Sequence, residues 1–146
     1  MAPSGRSGAS RRLYLDTSAY LCILLGEESA RELSEDVENA ELFSSVLLIL
    51  EAQRNLLRLA RDGALTPQTY QRCMDRLHDD IARFTFRDLT LDLCTSREMP
   101  AVTTPRSLDL VHLRTAAWFH AESPLDRFVT VDGSQAQAAR ELGLPT

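Results

Sequence analysis

Apolar and polar positions switch between two periods along this chain, and the switches mark its elements. Arg12-Leu13-Tyr14-Leu15-Asp16 is a short β-prone run ending on an acid, followed by a Thr17-Ser18 pair suited to capping a helix. Ala19 to Leu25 is apolar and short, Gly26 interrupts it, and Glu28 to Asn39 reads as an exposed acidic helix. Glu41 to Ser45 is a second strand candidate, carried by Leu42 and Phe43. Val46 to Arg61 predicts a long helix stopped at Asp62-Gly63, where glycine supplies the turn. Thr66 and Pro67 open the next helix as cap and first helical residue, and it runs to about Asp80. Ile81 to Arg87 sets apolar positions against Arg83, Thr85 and Arg87, the pattern of a half-buried strand. Asp88 to Met99 reads as helical, Pro100 to Arg106 as a loop, and Ser107 as the cap of a helix reaching about His120. Arg127 to Asp132 is a strand ending on an acid, Ser134 caps the last helix, and Gly143 terminates it.

Strands alternating with helices imply βαβ units, and hence an α/β fold: a three-layer α/β/α sandwich around a central, mostly parallel sheet. Function in such folds gathers just beyond the carboxyl ends of the strands. With 146 residues, one domain is expected, spanning 12–146. Residues 1–11 hold Ser, Gly, Ala and Arg but no apolar h-region, so they read as a disordered tail and not as a secretory signal. No apolar run approaches the roughly 20 residues that span a bilayer, which excludes a membrane span. Cys22, Cys73 and Cys94 are odd in number and widely spaced, with no C-x-x-C pair. That argues against a disulfide framework or a zinc site, and for buried reduced thiols in a cytoplasmic protein.

Charge narrows the function classes. With 21 acidic against 16 basic residues the net charge is −5, the wrong sign for a protein that coats phosphates. It leaves room for a nucleic-acid enzyme, because carboxylates that hold metal ions are themselves a source of negative charge. Every basic residue is Arg and none is Lys. Genomic base composition explains this first, and a preference for bidentate phosphate donors second.

Four acids stand out. Asp16 and Asp132 each close a strand candidate, and parallel strands place both at one edge of the sheet. Each alone has a plainer explanation as a turn or capping residue. Glu51 follows Val46-Leu47-Leu48-Ile49-Leu50 and begins a polar stripe with Arg54, Asn55 and Arg58. It reads either as a solvated Glu51–Arg54 pair or as a carboxylate at the buried margin of that stripe. Asp109 lies in the first turn of a helix, where the dipole favours acids in any case. His112, one turn on, reads as a packed or hydrogen-bonded histidine.

Taken together, Leu-Asp-Thr-Ser at 15–18, the isolated Glu51, Leu-Asp-Leu-Val-His-Leu at 108–113 and Thr-Val-Asp at 130–132 resemble the PIN-domain nucleases. Within them the pattern is similar to the VapC-type toxins of bacterial toxin–antitoxin pairs. The similarity spans roughly Leu13 to Leu144. It departs from the family in Leu110, where members often carry Ala, and in ending at Thr146, where relatives commonly continue into a last edge strand. The resemblance implies that Asp16, Glu51, Asp109 and Asp132 hold Mg²⁺ or Mn²⁺ and carry catalysis, cleaving RNA through a metal-activated water with no Ser or His nucleophile. Thr17, Ser18 and Thr130 then support the acids or hold the attacking water. A cognate antitoxin is implied as partner, its tail docking on Ala19 to Leu25 and the helix after Glu28, and a homodimer is expected.

Charge along the chain bears on the substrate path. From Gly26 to Glu51 there are eight acids and one Arg, and from Gln53 to Arg87 seven Arg against four acids. An RNA strand following Arg54, Arg58 and Arg61 toward the acids is one reading, and a solvated helix face is the other. Three alternatives to a toxin remain: an RNA-processing PIN nuclease, a catalytically inactive PIN-like binding module, and an aspartyl-phosphate protein. The last is disfavoured because Asp16 is followed by Thr17 and Ser18 and the chain has no Lys.

Overall fold

Strand β1 (Arg12–Leu15) sends Leu13 and Leu15 to one face and Tyr14 to the other, and the two cores of the molecule grow from that alternation. The computed structural model describes residues 10–97, 102 and 106–146. Its sheet has the order β3-β2-β1-β4, with β2 at Glu41–Ser45, β3 at Phe84–Arg87 and β4 at Arg127–Val129. Every pairing is parallel, with Tyr14 beside both Phe43 and Phe128. The chain is therefore an α/β sandwich in which all strands point their carboxyl ends at one edge.

On the Leu13 and Leu15 face lie α1 (Thr17–Leu24), α2 (Arg31–Glu38), α3 (Leu47–Arg61) and α4 (Pro67–Ile81). Leu48, Ala52 and Leu56 of α3 and Leu77 of α4 close that core. On the Tyr14 face lie α6 (Ser107–Glu122) and α7 (Gly133–Glu141), packed through Leu113, Ala116, Phe119, Ala138 and Ala139. The Tyr14 ring stacks on Phe128 with centroids 5.3 Å apart. Burying each such large side chain contributes on the order of 1.5–3 kcal/mol.

Several local signals act as read. Thr66 accepts from the Thr69 N–H with Pro67 at the start of α4. Gly63, at φ 76°, closes α3 while its N–H reaches Ala60 and that of Ala64 reaches Leu59, which satisfies two orphan carbonyls.

Others differ, for reasons of tertiary hydrogen bonding and burial. The acidic segment after Gly26, read as one exposed helix from Glu28 to Asn39, instead begins as a 3-10 turn, Glu28–Ala30, leads into α2 only at Arg31, and buries Ala30 and Val37. Asp16, and not Thr17 or Ser18, caps α1, and Asp132, and not Ser134, caps α7. Ser107 lies inside α6, whose cap position is Arg106. Helix α4 runs on to Ile81, so β3 starts only at Phe84. The helix expected from Asp88 shrinks to α5 (Leu91–Thr95), because Leu93 is its one buried anchor and Leu91 is 79% exposed. Met99 and the loop residues 100–105, apart from Val102, lie outside the described residues, as do residues 1–9 of the expected tail. Arg11 already belongs to the sheet edge, its carbonyl accepting from Glu41 N at 2.8 Å. The apolar run after Ser18 is largely core: Ala19, Tyr20, Ile23 and Leu24 are all buried, so it does not offer the expected open dock. Cys73 is buried and unpaired as anticipated, but Cys94 is exposed. No helix among the described residues is long and apolar enough to cross a membrane.

Candidate functional site

Asp16 is the first residue past β1, and its main chain still bonds the neighbouring strand through Val129 at 3.1 Å. Its Oδ1 accepts from the Ala19 N–H at 3.0 Å and from the Ser18 hydroxyl at 2.7 Å. The residue is only 4% exposed. That burial pushes its carboxyl above the usual range, although Thr130, Ser18, the Ala19 amide and the His112 imidazole all pull the other way.

Asp132 does not end a strand, since β4 stops at Val129. Beyond Thr130 the backbone donors turn to hydroxyls: Val131 N–H to Ser18 Oγ at 3.2 Å and Asp132 N–H to Thr130 Oγ1 at 3.1 Å. Ser18 and Thr130 also meet each other at 3.1 Å. These two residues, expected to support the acids, thus tie the Asp16 turn to the Asp132 turn. Asp132 Oδ1 in turn accepts from Ser134 and Gln135 at the start of α7.

Asp109 occupies the first turn of α6. Its carboxyl is raised first by partial burial and then by the charges of Asp132 and Asp16, with Arg106 and His112 opposing. Three aspartates from three different elements therefore share one electrostatic environment at the carboxyl edge.

Glu51 sits at the buried margin of α3, with its side chain 20% exposed. Oε1 accepts from the Thr17 hydroxyl at 2.8 Å and faces His112 Nε2 at 2.9 Å. Burial opposes ionisation, but His112, Thr17 and the Arg54 charge outweigh it and hold the carboxyl below its ordinary value. Of the two readings of Glu51, the carboxylate at the buried margin holds, and a Glu51–Arg54 ion pair does not form among the described residues. His112 is 2% exposed and hydrogen-bonded, as its apolar neighbours implied, and its Nδ1 meets the Tyr14 hydroxyl at 2.8 Å. Burial drives the Tyr14 phenol far above its normal titration range. Sequence reasoning missed Tyr14 and the Glu51 partnership of His112, since the only local signal was the one-turn spacing of His112 from Asp109.

An all-oxygen donor set with two carboxyls raised by burial, Asp109 by like charge as well, fits a hard divalent cation, which would relieve that cost. As the side chains stand they do not close on one point. Among the described residues no three His, Cys, Asp or Glu form a metal-binding group. Asp16, Asp109 and Asp132 share the field, while Glu51 is turned to Thr17 and His112.

Beside the acids a groove of about 410 Å³ is bounded by Glu51 and Asp109 and by three cations, Arg54, Arg58 and Arg106. Arg106, three residues before Asp109, escaped the sequence reading. Arg58 also lines an adjoining groove of about 580 Å³ with Arg61, Leu50 and Leu57. The two leucines are exposed at 63% and 51%. The arginine stripe of α3 thus leads from open surface to the acids. No protein-family model matches this chain, and no curated protein matches it significantly.

Proposed function

We propose that this chain is a metal-dependent endoribonuclease of the PIN-domain type, acting as a VapC-like toxin. The observation that carries the reading is the meeting of Asp16, Asp109 and Asp132 in one field at the carboxyl edge of an all-parallel sheet, beside an arginine-bounded groove. Two aspartates raised by burial, Asp16 and Asp109, are costly to keep ionised without a cation, and arginines next to them are of little use unless an anion is bound.

On this reading Asp16, Asp109 and Asp132 would hold Mg²⁺ or Mn²⁺, with Glu51 at the margin. The ion would supply charge neutralisation at the phosphoryl oxygens and a water of lowered pKa. Arg54, Arg58 and Arg106 bind and orient the phosphodiester as bidentate donors. Glu51 is ionised, and with Oε1 engaged by Thr17 it retains Oε2 as the oxygen that takes a proton from the attacking water. Thr17, Ser18 and Thr130 keep the acids in place. A cognate antitoxin would dock over the groove of about 510 Å³ between α1, α2 and α4, where Glu27, Glu28, Glu35 and Glu38 stand with Arg31, Arg76 and Arg83 and suit a tail of mixed charge. A cytoplasmic homodimer completes the proposal.

The test uses the purified full chain and a fluorophore-labelled single-stranded RNA of mixed sequence. Cleavage is expected with Mn²⁺ or Mg²⁺, and none with chelator or with Asp16→Asn. Cleavage that persists in chelator, or in Asp16→Asn, overturns the reading.

A further inference from the structure

We propose that Tyr14 and His112 are positioning residues for Glu51, forming a buried relay in which the phenol fixes the imidazole tautomer and the imidazole fixes the carboxylate. The proposal rests on the nuclease reading for its consequence but not for its geometry. His112 Nε2 lies 2.9 Å from Glu51 Oε1, and a bare nitrogen lone pair against a carboxylate oxygen at that distance is repulsive. A proton must therefore lie between them. Glu51 Oε1 already accepts the Thr17 proton at 2.8 Å, so a second donor on the same oxygen has to be the ring N–H.

With the proton on Nε2, Nδ1 of a neutral ring is an acceptor. The Tyr14 hydroxyl, which also lies against Ser44, Thr115 and the Ser45 main chain, stands 2.8 Å away and donates to it. Each group then has one consistent role: Tyr14 O–H to Nδ1, Nε2–H to Oε1, and Thr17 O–H to the same Oε1. Thr17 Oγ1 also lies 3.0 Å from Nε2 and shares that N–H. The relay is rigid because its inner members are buried. Tyr14 is 0% and His112 2% exposed, and the Tyr14 ring is stacked on Phe128. It runs from β1 through α6 to α3, so it connects the strand that carries Asp16 and the helix that carries Asp109 with the helix that carries Glu51. Such a chain sets where Glu51 points at the moment a proton is taken, without touching substrate itself.

The first measurement needs no variant: long-range ¹H–¹⁵N correlation of the His112 ring in the metal-free full chain. The Nε2–H tautomer is expected, and a ring protonated on Nδ1 alone overturns the proposal. The second compares Tyr14→Phe, which keeps the aromatic packing and removes one hydroxyl. Its ring should show mixed tautomers, and kcat on the labelled RNA should fall roughly ten- to a hundredfold with KM unchanged. A Tyr14→Phe protein with an unaltered tautomer and only a lower melting temperature overturns the proposal, because a purely structural hydroxyl would behave that way. Should Tyr14→Phe fail to fold, His112→Gln and His112→Asn replace it. Gln can present its amide where Nε2 stood and should retain part of kcat, whereas Asn should not; equal loss in both overturns the proposal. Wild-type protein that cleaves no RNA defeats the nuclease reading alone, and the tautomer arms still decide the relay.

Discussion

The side-chain amide of Gln135 donates to the main-chain carbonyl of Asp109 at 2.9 Å, joining the start of α7 to the first turn of α6. The backbone N–H of the same residue reaches Asp132 Oδ1 at 3.3 Å. One buried glutamine thus sets the spacing of two acids that come from different elements. Its Oε1 has no partner among the described residues, an uncommon state for a buried amide.

That geometry predicts a separation of stability from function. In Gln135→Leu the Asp109 carbonyl loses a donor, but the unpaired amide oxygen disappears too, so unfolding free energy in urea should change by no more than about 1 kcal/mol. Mn²⁺ affinity, measured by calorimetry, should fall roughly tenfold because the two acids are no longer tied. Unchanged affinity would show that α6 and α7 hold their acids independently.

Asp16 carries two roles that different substitutions pull apart. Asp16→Ala removes the α1 cap as well as the charge and should cost about 1 kcal/mol of stability from the cap alone. Asp16→Asn keeps a capping oxygen and removes only the charge. Burial raises the Asp16 carboxyl above its unfolded value, so its contribution is full at pH below the unfolded pKa and is lost as pH rises through the folded one. The metal-free wild type should therefore lose stability between acid and neutral pH through this group, and Asp16→Asn should not. Thermal melts of both proteins from pH 4 to 7 check this, with Asp16→Asn expected to melt higher at pH 7. Its RNA cleavage should fall by about a hundredfold or more, as when one charged group at a reacting centre is removed.

How much of this was legible in the chain depends on distance along it. Leu13-Tyr14-Leu15 alternates because its two faces meet two helical layers, and the 3.6-residue stripe of Leu48, Ala52 and Leu56 reports the same burial in α3. Thr66, Gly63 and Gly143 work through neighbours within five residues and read correctly. The end of β4 did not, because Val131 gives its N–H to Ser18, 113 positions away, and no local pattern carries that information. The site shows the same division. Asp16 and Asp109 could be picked out as acids at a strand end and a helix start, and Ser18 as a support of Asp16. The Glu51 contacts to Thr17 and His112, 34 and 61 positions distant, exist only once the helices pack around the sheet edge.

Divalent cations should stabilise the protein by mass action if the three aspartates hold one. At a hundredfold excess over Kd the gain is about 2.7 kcal/mol, readily seen as a rise in melting temperature. Asp109→Asn removes a carboxyl raised by burial and by the charges of Asp132 and Asp16. The metal-free variant should therefore melt above the wild type and lose most of its response to Mn²⁺. A melting temperature that stays flat across a millimolar Mn²⁺ titration of the wild type would exclude the metal assignment.

The last prediction separates the arginines from the acids. Arg58 is exposed on α3, and its guanidinium hydrogen-bonds only Asn55 among the described residues, at 3.1 Å. Arg58→Gln should therefore leave the melting temperature within about a degree, as surface substitutions do. Arg58 and Arg106 bound the groove that reaches Asp109 and Glu51, whereas Arg61 lines only the outer groove. Neutralising Arg58 or Arg106 should lower the slope of log affinity against log salt by about 0.7 for single-stranded RNA, one phosphate contact each. Arg61→Gln should change it less, since a phosphate near Arg61 lies farther from the reacting centre and is less tightly placed. Mn²⁺ binding should survive all three substitutions, because no carboxylate has been altered. Fluorescence anisotropy across a salt series measures the slopes directly. Equal slopes for Arg58→Gln, Arg106→Gln and wild type would mean that this face of α3 is merely solvated, and that RNA reaches the acids by another route.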